Sequence, residues 1–452
     1  MERFLRCEED RDERVFGLRS IRPVWLCAFI ALAMCVVGCN PTKEEITARR
    51  GVHQYLTGNF YGSMHTLEPL ANEPDENYVL NNLRLGSAAM AAYELDEAEA
   101  AFVRAYEVLN AGSVNDQNRR TAAVFINEKM KIWRGEPYER ALCNFYLGMI
   151  YYHRADYNNA RAAFENALFK LRDYADPDRD EDHFREVENN FAIALLMLGR
   201  SWIMLNRPDL ADACFRQVVD AYPDFGPVAQ ALSDRSVNTI LFVEFGFAPR
   251  KTADGMDGAK VSFVPNPHQA GLVPRPQVIV DGQRVNSRPF DSILFDTTVM
   301  AQDRLWQSID TIRVTKSVIG TGLVVAGLGT AIYGATEEDA GTAAVGLALA
   351  GVGMLLKESS EADTRQWEML PRGAFLVPLT LSPGKHNIAV TFPDVPQLDQ
   401  EWDGLDVSAS GDRLYFVRLM PGRFGPFAWP PIRGADPMRT YNGPMLIEDD
   451  ED

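Results

Sequence analysis

Residues 147–167 read LGMIYYHRADYNNARAAFENA, and this stretch sets the architecture of the N-terminal region. Apolar residues follow a helical spacing on both sides of a polar turn at Arg154-Ala155-Asp156. A spacing of three and four residues is typical of helices with one buried face. The stretch therefore predicts two antiparallel helices joined by a short turn.

The same spacing occurs in three other places. Each copy places a small residue in the first helix and an Ala-x-x-x-Phe-like pair in the second, the first copy being the weakest. The positions that carry the pattern are Gly51 in the first copy, Gly86, Ala98 and Phe102 in the second, Gly148, Tyr151, Ala160 and Phe164 in the third, and Gly199, Trp202, Ala211 and Phe215 in the fourth. Such self-similarity indicates a repeat protein. It resembles the tetratricopeptide repeat over about residues 43–245.

The resemblance implies how the helices pack. In that family the small residues let paired helices approach closely, and the Phe fills the gap between them. A stack of such pairs offers a concave face that holds a peptide or a partner domain. The aromatic candidates for that face are Tyr55, Tyr93, Tyr151, Tyr152 and Trp202. Each of them could equally belong to the core between helices.

The copies are unevenly spaced along the chain. The additional residues fall in the polar stretches 110–139 and 174–188, which we expect to form longer helices or inserted loops. An acidic run at 176–183 lacks the Gly and the closing Glu of an EF-hand loop, so it predicts a solvated linker.

An apolar run at residues 24–39 follows Arg19 and Arg22 and ends in Val36-Val37-Gly38-Cys39. A charged lead, a short apolar run and small residues at its exit are typical of an export signal. The Cys in this position resembles a bacterial lipobox, which implies cleavage before Cys39 and diacylation of its sulfur. The alternative is an ordinary signal peptide or a short anchor. Asn40 is not the Asp that the lipobox family associates with inner-membrane retention, which favours the outer membrane.

Charge and cysteine content agree with a lipid anchor. A net charge of −18 argues against nucleic-acid binding and against electrostatic docking on anionic lipid. Three of the six cysteines would leave with the signal, and Cys39 would carry the lipid. The remaining Cys143 and Cys214 lie in helical apolar patterns, so we expect buried, inert thiols rather than a disulfide framework.

Short β-type runs follow residue 258. They lie at 260–264, 277–280, 375–381, 387–392, 405–409 and 413–419. Asp281-Gly282 predicts a hairpin turn, and Ser382-Pro-Gly384-Lys385-His386 predicts another. Both turn regions resemble PEGA-type envelope modules, which are small β-sandwiches; a generic antiparallel sandwich is the alternative.

Two uncharged segments, 317–334 and 340–356, interrupt the β runs. Their glycines recur every seven residues and line one stripe of each predicted helix: Gly320, Gly327, Gly334, Gly346 and Gly353. This resembles the glycine-zipper hairpins of envelope lipoproteins. The hairpin could insert into a membrane or form oligomers, or it could pack on the rest of the chain.

The run Ala362-Asp-Thr-Arg365-Gln-Trp367-Glu-Met-Leu-Pro371 follows the hairpin. It resembles a motif of an uncharacterised family of bacterial envelope lipoproteins, for which no activity is implied. We expect Arg365 and Trp367 to form a stacked, hydrogen-bonded structural corner where the hairpin rejoins the sheet. A ligand-binding role for the two residues is the alternative.

These patterns predict a multidomain α + β chain: an N-terminal TPR-like α-solenoid followed by a small antiparallel β-sandwich that a Gly-rich helical hairpin interrupts. The expected boundaries are a signal peptide at 1–38, the repeats at 39–245, a linker at 246–258, the sandwich at 259–300 and 371–421, the hairpin within 301–370, and a Pro/aromatic segment with an acidic tail at 422–452.

The sequence gives no indication of an enzyme. Motifs for zinc proteases, serine hydrolases, phosphate-binding loops and dithiol redox sites are missing from the sequence, and the six histidines have no metal-ligand spacing. We therefore expect no catalytic residue, no metal and no cofactor beyond the covalent lipid on Cys39.

Three functional hypotheses remain. The first is a lipid-anchored adaptor of the bacterial cell envelope, at the outer membrane and facing the periplasm, whose repeats bind an envelope protein or peptide. The second is a membrane-embedded, oligomeric assembly component that uses residues 317–356. The third is a cell-wall glycan-binding β module.

Overall fold

The computed structural model describes residues 41–110, 132–172, 188–254, 260–266, 275–285, 292–302, 363–394, 399–407 and 412–419, with single helical positions between 323 and 350 and residue 396. The backbone contacts divide the chain into Met1–Ile46 and Thr47–Asp452. Of the described residues, only 41–46 belong to the first unit. The predicted signal peptide with Cys39, the five hairpin glycines and the segment 422–452 lie outside the described residues.

Nine helices precede the first strand among the described residues. They are α1 Lys43–Leu56, α2 Phe60–Ala71, α3 Tyr78–Ala91, α4 Leu95–Leu109, α5 Pro137–His153, α6 Tyr157–Arg172, α7 Ala192–Met204, α8 Pro208–Ala221 and α9 Gly226–Ser233, with a short 3₁₀ turn at Pro223–Phe225 before α9. The first eight form four consecutive pairs, α1–α2 to α7–α8, as the repeat pattern predicts. The two polar stretches expected to contain insertions lie mostly outside the described residues.

A glycine in the first helix packs against a large residue in the second helix of every pair. A Cβ built on Gly86, Gly148 or Gly199 would lie 2.6–2.7 Å from the ring of Phe102, Phe164 or Phe215 respectively. In the first pair, Leu67 takes the place of the Phe and lies 2.6 Å from a Cβ built on Gly51. Real Cβ atoms do not approach other atoms so closely, so only glycine permits this helix spacing.

The turn inside each pair has the same backbone conformation in all four copies. Gly58, Tyr93, Ala155 and Asn206 each have a φ between 59° and 86°. The next residue donates its N–H to a carbonyl five residues earlier, as in the bond from the Asp156 N–H to the Tyr151 carbonyl oxygen. This is the Schellman arrangement, which satisfies the last carbonyls of the first helix and reverses the chain.

The strands of the C-terminal half form three sheets. They are β1 Thr239–Phe245, β2 Arg250–Asp254, β3 Lys260–Val264, β4 Gln277–Val280, β5 Gln283–Arg284, β6 Gly373–Leu379, β7 Gly384–Thr391, β8 Gln400–Val407 and β9 Arg413–Leu419. The sheet orders are β6-β1-β9, β2-β3 and β5-β4-β7-β8. A short helix, α10 Thr297–Ala301, precedes the predicted hairpin. The chain thus combines helical pairs with small sheets.

Strand β1 corrects the predicted end of the helical repeats. All seven of its residues are buried, so the strand shows no alternation of apolar and polar residues. An apolar run of this kind cannot be told from a helix segment by periodicity. The repeats therefore end before β1 and not at residue 245, and β2 occupies part of the expected linker at 246–258.

The pairing of the strands also differs from the predicted antiparallel sandwich. Strand β1 pairs antiparallel with β6 and parallel with β9. Asp281 and Gly282 both have positive φ and join β4 to β5, so the first predicted hairpin turn is confirmed. The second is wrong: residues 382–386 include the start of β7, and the connection at 380–383 joins β6 to β7, which lie in different sheets.

Little of the predicted Gly-rich hairpin falls within the described residues. Positions 323–326, 330, 345 and 348–350 are helical. Val325 and Val345 are 67% and 57% exposed, whereas Ala350 is buried. Among the described residues no helix is both long enough and apolar enough to span a bilayer.

Candidate functional site: the inner face of the repeats

The first helix of each pair turns the same side toward the C-terminal half of the chain. We call this side, formed by α1, α3, α5 and α7, the inner face. Hydrogen bonds join four of its side chains to the β6-β1-β9 sheet or to the residue just before β9: Tyr55, Tyr146, Tyr152 and Arg200. The surface that the repeat resemblance assigns to a partner is therefore covered largely by the protein's own sheet.

Three of the five predicted aromatic residues contact β9 or the residue before it. The Tyr152 hydroxyl donates to the Asp412 carboxylate at 2.5 Å. The Tyr93 hydroxyl accepts the Phe416 N–H at 3.0 Å, and Tyr55 accepts a hydrogen bond from Arg418 at 3.2 Å. The structure thus brings these three together on one strand.

Tyr151 and Trp202 lie elsewhere. Tyr151 is half-buried. Burial raises its pKa to about 12, and the neighbouring Glu99 carboxylate acts in the same direction. Trp202 lies between two guanidinium groups, with Arg161 5.0 Å and Arg207 6.0 Å from its ring centroid. These contacts of Tyr151 and Trp202 are with other residues of the repeats and not with β9.

Side chains of the repeats also close the outer edge of β9. His153 Nδ1 lies 2.6 Å from the Leu414 carbonyl oxygen, and the Tyr93 hydroxyl accepts a hydrogen bond from the Phe416 N–H. An open strand edge is a template for pairing with another chain. These two contacts occupy backbone groups that a further strand would need.

A buried ionic cluster joins β1 and β9 to the repeats. Glu244 accepts a hydrogen bond of 2.6 Å from the Tyr146 hydroxyl and lies 3.9 Å from Arg418 Nε. Arg418 also donates to the Gly246 carbonyl oxygen at 2.6 Å. Burial raises the pKa of Glu244 to about 7, although Arg418 and the Tyr146 hydroxyl act in the opposite direction. The cluster fixes the sheet on α1 and α5.

A second buried cluster is built on Arg200 of α7. Arg200 donates 2.7 Å hydrogen bonds to Asp412 Oδ2 and to the Leu232 and Asp234 carbonyl oxygens, and one of 2.6 Å to the Val237 carbonyl oxygen. One residue thereby holds the end of α9, the entry to β1 and the entry to β9. Burial raises the pKa of Asp412, an effect that Arg200 and Tyr152 oppose.

Residues 363–371, which we call the strap, lie against α3 and α5 and include a turn at residues 368–369. Trp367 is completely buried, and its ring centroid lies 5.9 Å from that of Phe102 and 5.7 Å from that of Tyr146. Its indole N–H donates to the Ser87 hydroxyl at 2.9 Å, and its backbone N–H to Glu139 at 2.6 Å. Trp367 is therefore part of the repeat core.

Arg365 and Glu368 fix the two sides of the strap. Arg365 pairs with Asp363 at 2.7 Å and donates to the Glu76 carbonyl oxygen and to Asn77, both at 3.1 Å. Arg84 of α3 binds both carboxylate oxygens of Glu368, at 2.9 and 2.5 Å. The predicted corner at Arg365 and Trp367 therefore lies against the repeats, where each residue has its own set of partners.

Glu139 is the ionisable group beneath the strap. Its carboxylate accepts the backbone N–H groups of Glu136 and Trp367, both at 2.6 Å. Burial raises its pKa to about 7, while Lys251 acts to lower it. Lys251 itself comes from β2 and pairs with Glu136 at 2.6 Å.

Sequence reasoning did not single out Glu139, Arg200, Glu244 or Arg418. A signal was present, since Glu244 and Arg418 each interrupt an apolar strand. Charged residues are rarely buried without a partner, so two such strands predict an ion pair between them. Arg200 has the same character within the apolar α7.

The structure also assembles a serine, a histidine and an aspartate that are scattered in the sequence. His386 Nδ1 lies 2.6 Å from Asp281, and the Ser382 hydroxyl lies 3.4 Å from His386 Nε2. The same Nε2 lies 2.7 Å from the Ser382 carbonyl oxygen, which can only accept. A ring nitrogen that donates to a carbonyl cannot take the proton of a serine. The arrangement ties two turns together, and Asp281 is the main cause that raises the pKa of His386.

Candidate ligands for other chemistry are sparse in the described part of the chain. No group of three or more His, Cys, Asp or Glu side chains there could hold a metal ion. Cys143 is buried and Cys214 is half-buried, both as free thiols. Burial raises the pKa of both, that of Cys214 to about 12.

Comparison with known families identifies one part of this architecture. The model described as tetratricopeptide repeat matches residues 193–224, which span most of α7, all of α8 and the start of the turn that follows. Comparison with curated proteins and with solved structures gives no match. The match includes Gly199, Trp202, Ala211 and Phe215 of the fourth predicted copy. The chain therefore contains a tetratricopeptide repeat.

Proposed function

We propose that this protein is a membrane-anchored lipoprotein that acts as a protein–protein interaction scaffold in the bacterial cell envelope. The observation that carries the proposal is the tetratricopeptide match at residues 193–224, together with three further helical pairs of the same geometry. Repeats of this kind generally bind proteins through extended surfaces. The proposal contains no catalytic step.

The surface for a partner is constrained by the chain itself. The inner face holds β9 and the strap. A partner therefore binds either the second helices of the pairs (α2, α4, α6 and α8, the outer helices) or the inner face in place of one of these segments. Among the large apolar side chains of the outer helices, Phe169 of α6 is 54% exposed and Tyr61 of α2 is 37% exposed.

Site-specific photo-crosslinking in cells tests the scaffold. A crosslinking residue at Phe169 or Tyr61 should yield a discrete adduct with another protein, as should one near the strap at Asn77. Crosslinkers at the exposed Val264 of β3, outside the repeats, serve as the control. The scaffold proposal is wrong if none of the repeat positions gives an adduct above that control.

The lipid anchor rests on Val36-Val37-Gly38-Cys39 and on the acidic charge of the chain, which disfavours electrostatic membrane binding. Fractionation of Cys39→Ala should move the protein from the outer-membrane fraction to the soluble periplasmic fraction. Incorporation of labelled palmitate should be lost in the same variant. Retention of the label would contradict acylation at Cys39.

The exposed apolar residues of the Gly-rich segment favour a second candidate function. Val325, Val345 and Leu349 are 67%, 57% and 37% exposed. In this alternative, residues 317–356 embed in the membrane or join copies into an oligomer. It predicts that Cys39→Ala stays in the membrane fraction after an alkaline wash and that Gly327→Leu breaks the assembly. Release of Cys39→Ala by the wash would exclude it.

A further inference from the structure

The strap is held as a bound peptide would be held, through its backbone as well as its side chains. Glu139 accepts the Trp367 N–H, and the Trp133 indole donates to the Arg365 carbonyl oxygen at 3.0 Å. Contacts of this kind to the backbone of a bound segment are typical of peptide recognition. They come from α5 and from the chain just before it, and none of these groups lies on the strap.

Two side chains of the strap supply specificity. Trp367 fills a pocket between Phe102, Tyr146 and Ser87, and the Ser87 hydroxyl takes its indole N–H. The next residue, Glu368, receives both arms of the Arg84 guanidinium. A two-pronged Arg–carboxylate pair has a fixed geometry. The groove therefore selects a tryptophan followed directly by an acidic residue.

The side chains of the strap differ in how deeply they are buried. Trp367 is fully enclosed, whereas the Glu368 side chain is 31% exposed and the Arg365 side chain 26% exposed. Phe102, Tyr146, Ser87 and Arg84 all lie on helices of the second and third pairs. The groove is therefore lined by side chains of the repeats and not of the strap.

From these contacts we propose that the groove between α3 and α5 is a peptide-binding site that the strap occupies in cis. Its external ligand is a protein segment without helix or strand structure that presents Trp followed by Glu or Asp. This inference rests on the proposed scaffold function and names the class of partner for the inner face. An external segment must compete with the tethered strap, so the strap lowers the apparent affinity of the groove for the external segment.

The test uses the full chain with its own strap removed from the groove. In the emptied variant, residues 363–369 are replaced by a Gly/Ser sequence of equal length. The probe is a fluorescent peptide with the sequence of residues 363–371, DTRQWEMLP, and the readout is fluorescence anisotropy. The matched probe carries Ala in place of the Trp. Circular dichroism of each chain reports whether the helices are retained.

The emptied variant should bind the probe at least about tenfold more tightly than the wild-type chain does, because no tethered segment competes. Replacing the Trp of the probe should weaken binding by about tenfold or more, since truncating a buried aromatic anchor costs well over 1 kcal/mol. Arg84→Ala in the emptied variant should weaken it by about tenfold. Arg207→Ala, outside the groove, should leave the affinity unchanged.

Two results would overturn the inference: no binding by an emptied variant with native helix content, or equal binding by the wild-type chain. If the emptied variant does not fold, the milder Trp367→Gly/Glu368→Gly chain is used in the same comparison. Failure here would leave the scaffold proposal standing, because crosslinking at the outer helices tests that proposal separately.

Discussion

Arg200 and Asp412 lie 212 positions apart in the sequence and form an ion pair of 2.7 Å whose side chains are 0% and 1% exposed. The pair joins α7, the first helix of the matched repeat, to the entry of β9. Arg200 also donates to three backbone carbonyl oxygens, whereas Asp412 Oδ1 has no hydrogen-bond partner among the described residues. The attachment of the sheet to the repeats therefore depends on a charge pair that water does not reach.

Removing Asp412 should strongly destabilise the protein. Asp412→Ala leaves the Arg200 guanidinium buried without its counter-charge, a change that typically costs about 3–5 kcal/mol. Urea unfolding followed by circular dichroism measures the effect. The exposed pair Arg207–Asp209 is the control, and Asp209→Asn should leave the midpoint unchanged. Equal midpoints for the two variants would contradict this account of the buried pair.

Gly148 should not tolerate a methyl group. A Cβ there would lie 2.6 Å from Phe164, so Gly148→Ala must push the two helices of the third pair apart, at a cost of about 1–3 kcal/mol. Gly226 has nothing within 4 Å of its Cβ position, so Gly226→Ala should keep or slightly raise stability. Thermal unfolding of the two variants gives the comparison. A wild-type melting temperature for Gly148→Ala would argue against close packing at this position.

The repeated turn offers a stabilising substitution. Ala155 is exposed and has a φ of 59°, which is strained for a residue with a Cβ. Ala155→Gly should raise the free energy of unfolding by about 0.5–1 kcal/mol. Gly58 occupies the equivalent turn of the first pair, and Gly58→Ala should lower it.

Ala162 in the interior of α6 is the control for that pair of variants. Ala162→Gly should destabilise by about 1 kcal/mol, because glycine weakens a regular helix. Opposite signs at Ala155 and Ala162 would establish that the turn conformation, and not glycine itself, decides the outcome. A loss of stability at both positions would refute the prediction.

The buried carboxyl of Glu244 should make stability depend on pH. Its pKa is about 7 in the folded chain against an ordinary value of 4.5. Between these values the unfolded chain has lost the proton and the folded chain keeps it, so stability falls as pH rises from about 4.5 to about 7. The difference of pKa corresponds to about 3 kcal/mol over that window.

Glu244→Gln keeps an acceptor for Tyr146 and removes the titration. The unfolding free energy of this variant, measured by urea from pH 5 to pH 8, should fall less steeply than that of the wild type. The pKa of Glu139 is also raised to about 7. The unfolding free energy of Glu139→Gln should therefore also fall less steeply with pH than that of the wild type. Identical pH profiles for wild type and Glu244→Gln would show that Glu244 ionises normally.

The features that sequence reasoning predicted best arise between residues that are near in the chain. Gly148 and Phe164 belong to adjacent helices joined by a short turn, so their spacing alone predicts that they meet. The Asp281-Gly282 turn is local in the same way, because both residues need a positive φ. The runs at 260–264, 277–280 and 413–419 coincide with β3, β4 and β9 for the same reason, since strand composition is a local property.

The attachment of the two halves was not predictable in this way. Trp367 lies more than two hundred residues from its partner Phe102 in sequence, and no local pattern connects them. Strand β1 reads as a mostly apolar run, and its parallel partner β9 lies far away in the sequence. The inner face therefore looked free for a partner in the sequence, although the protein itself covers most of it.

The helical repeat follows from local patterns in the chain, because small residues, aromatic residues and turns at fixed spacing pack well as helical pairs. The segments that pack on the helical pairs are set by the tertiary structure. Buried Glu139, Arg200, Glu244 and Arg418 are stable only with partners, and those partners lie far away in the chain. Those partners are the strap, β1 and the residues around β9. A buried charge needs a partner of opposite charge or a hydrogen-bonding group, and the tertiary fold decides which residue takes that position.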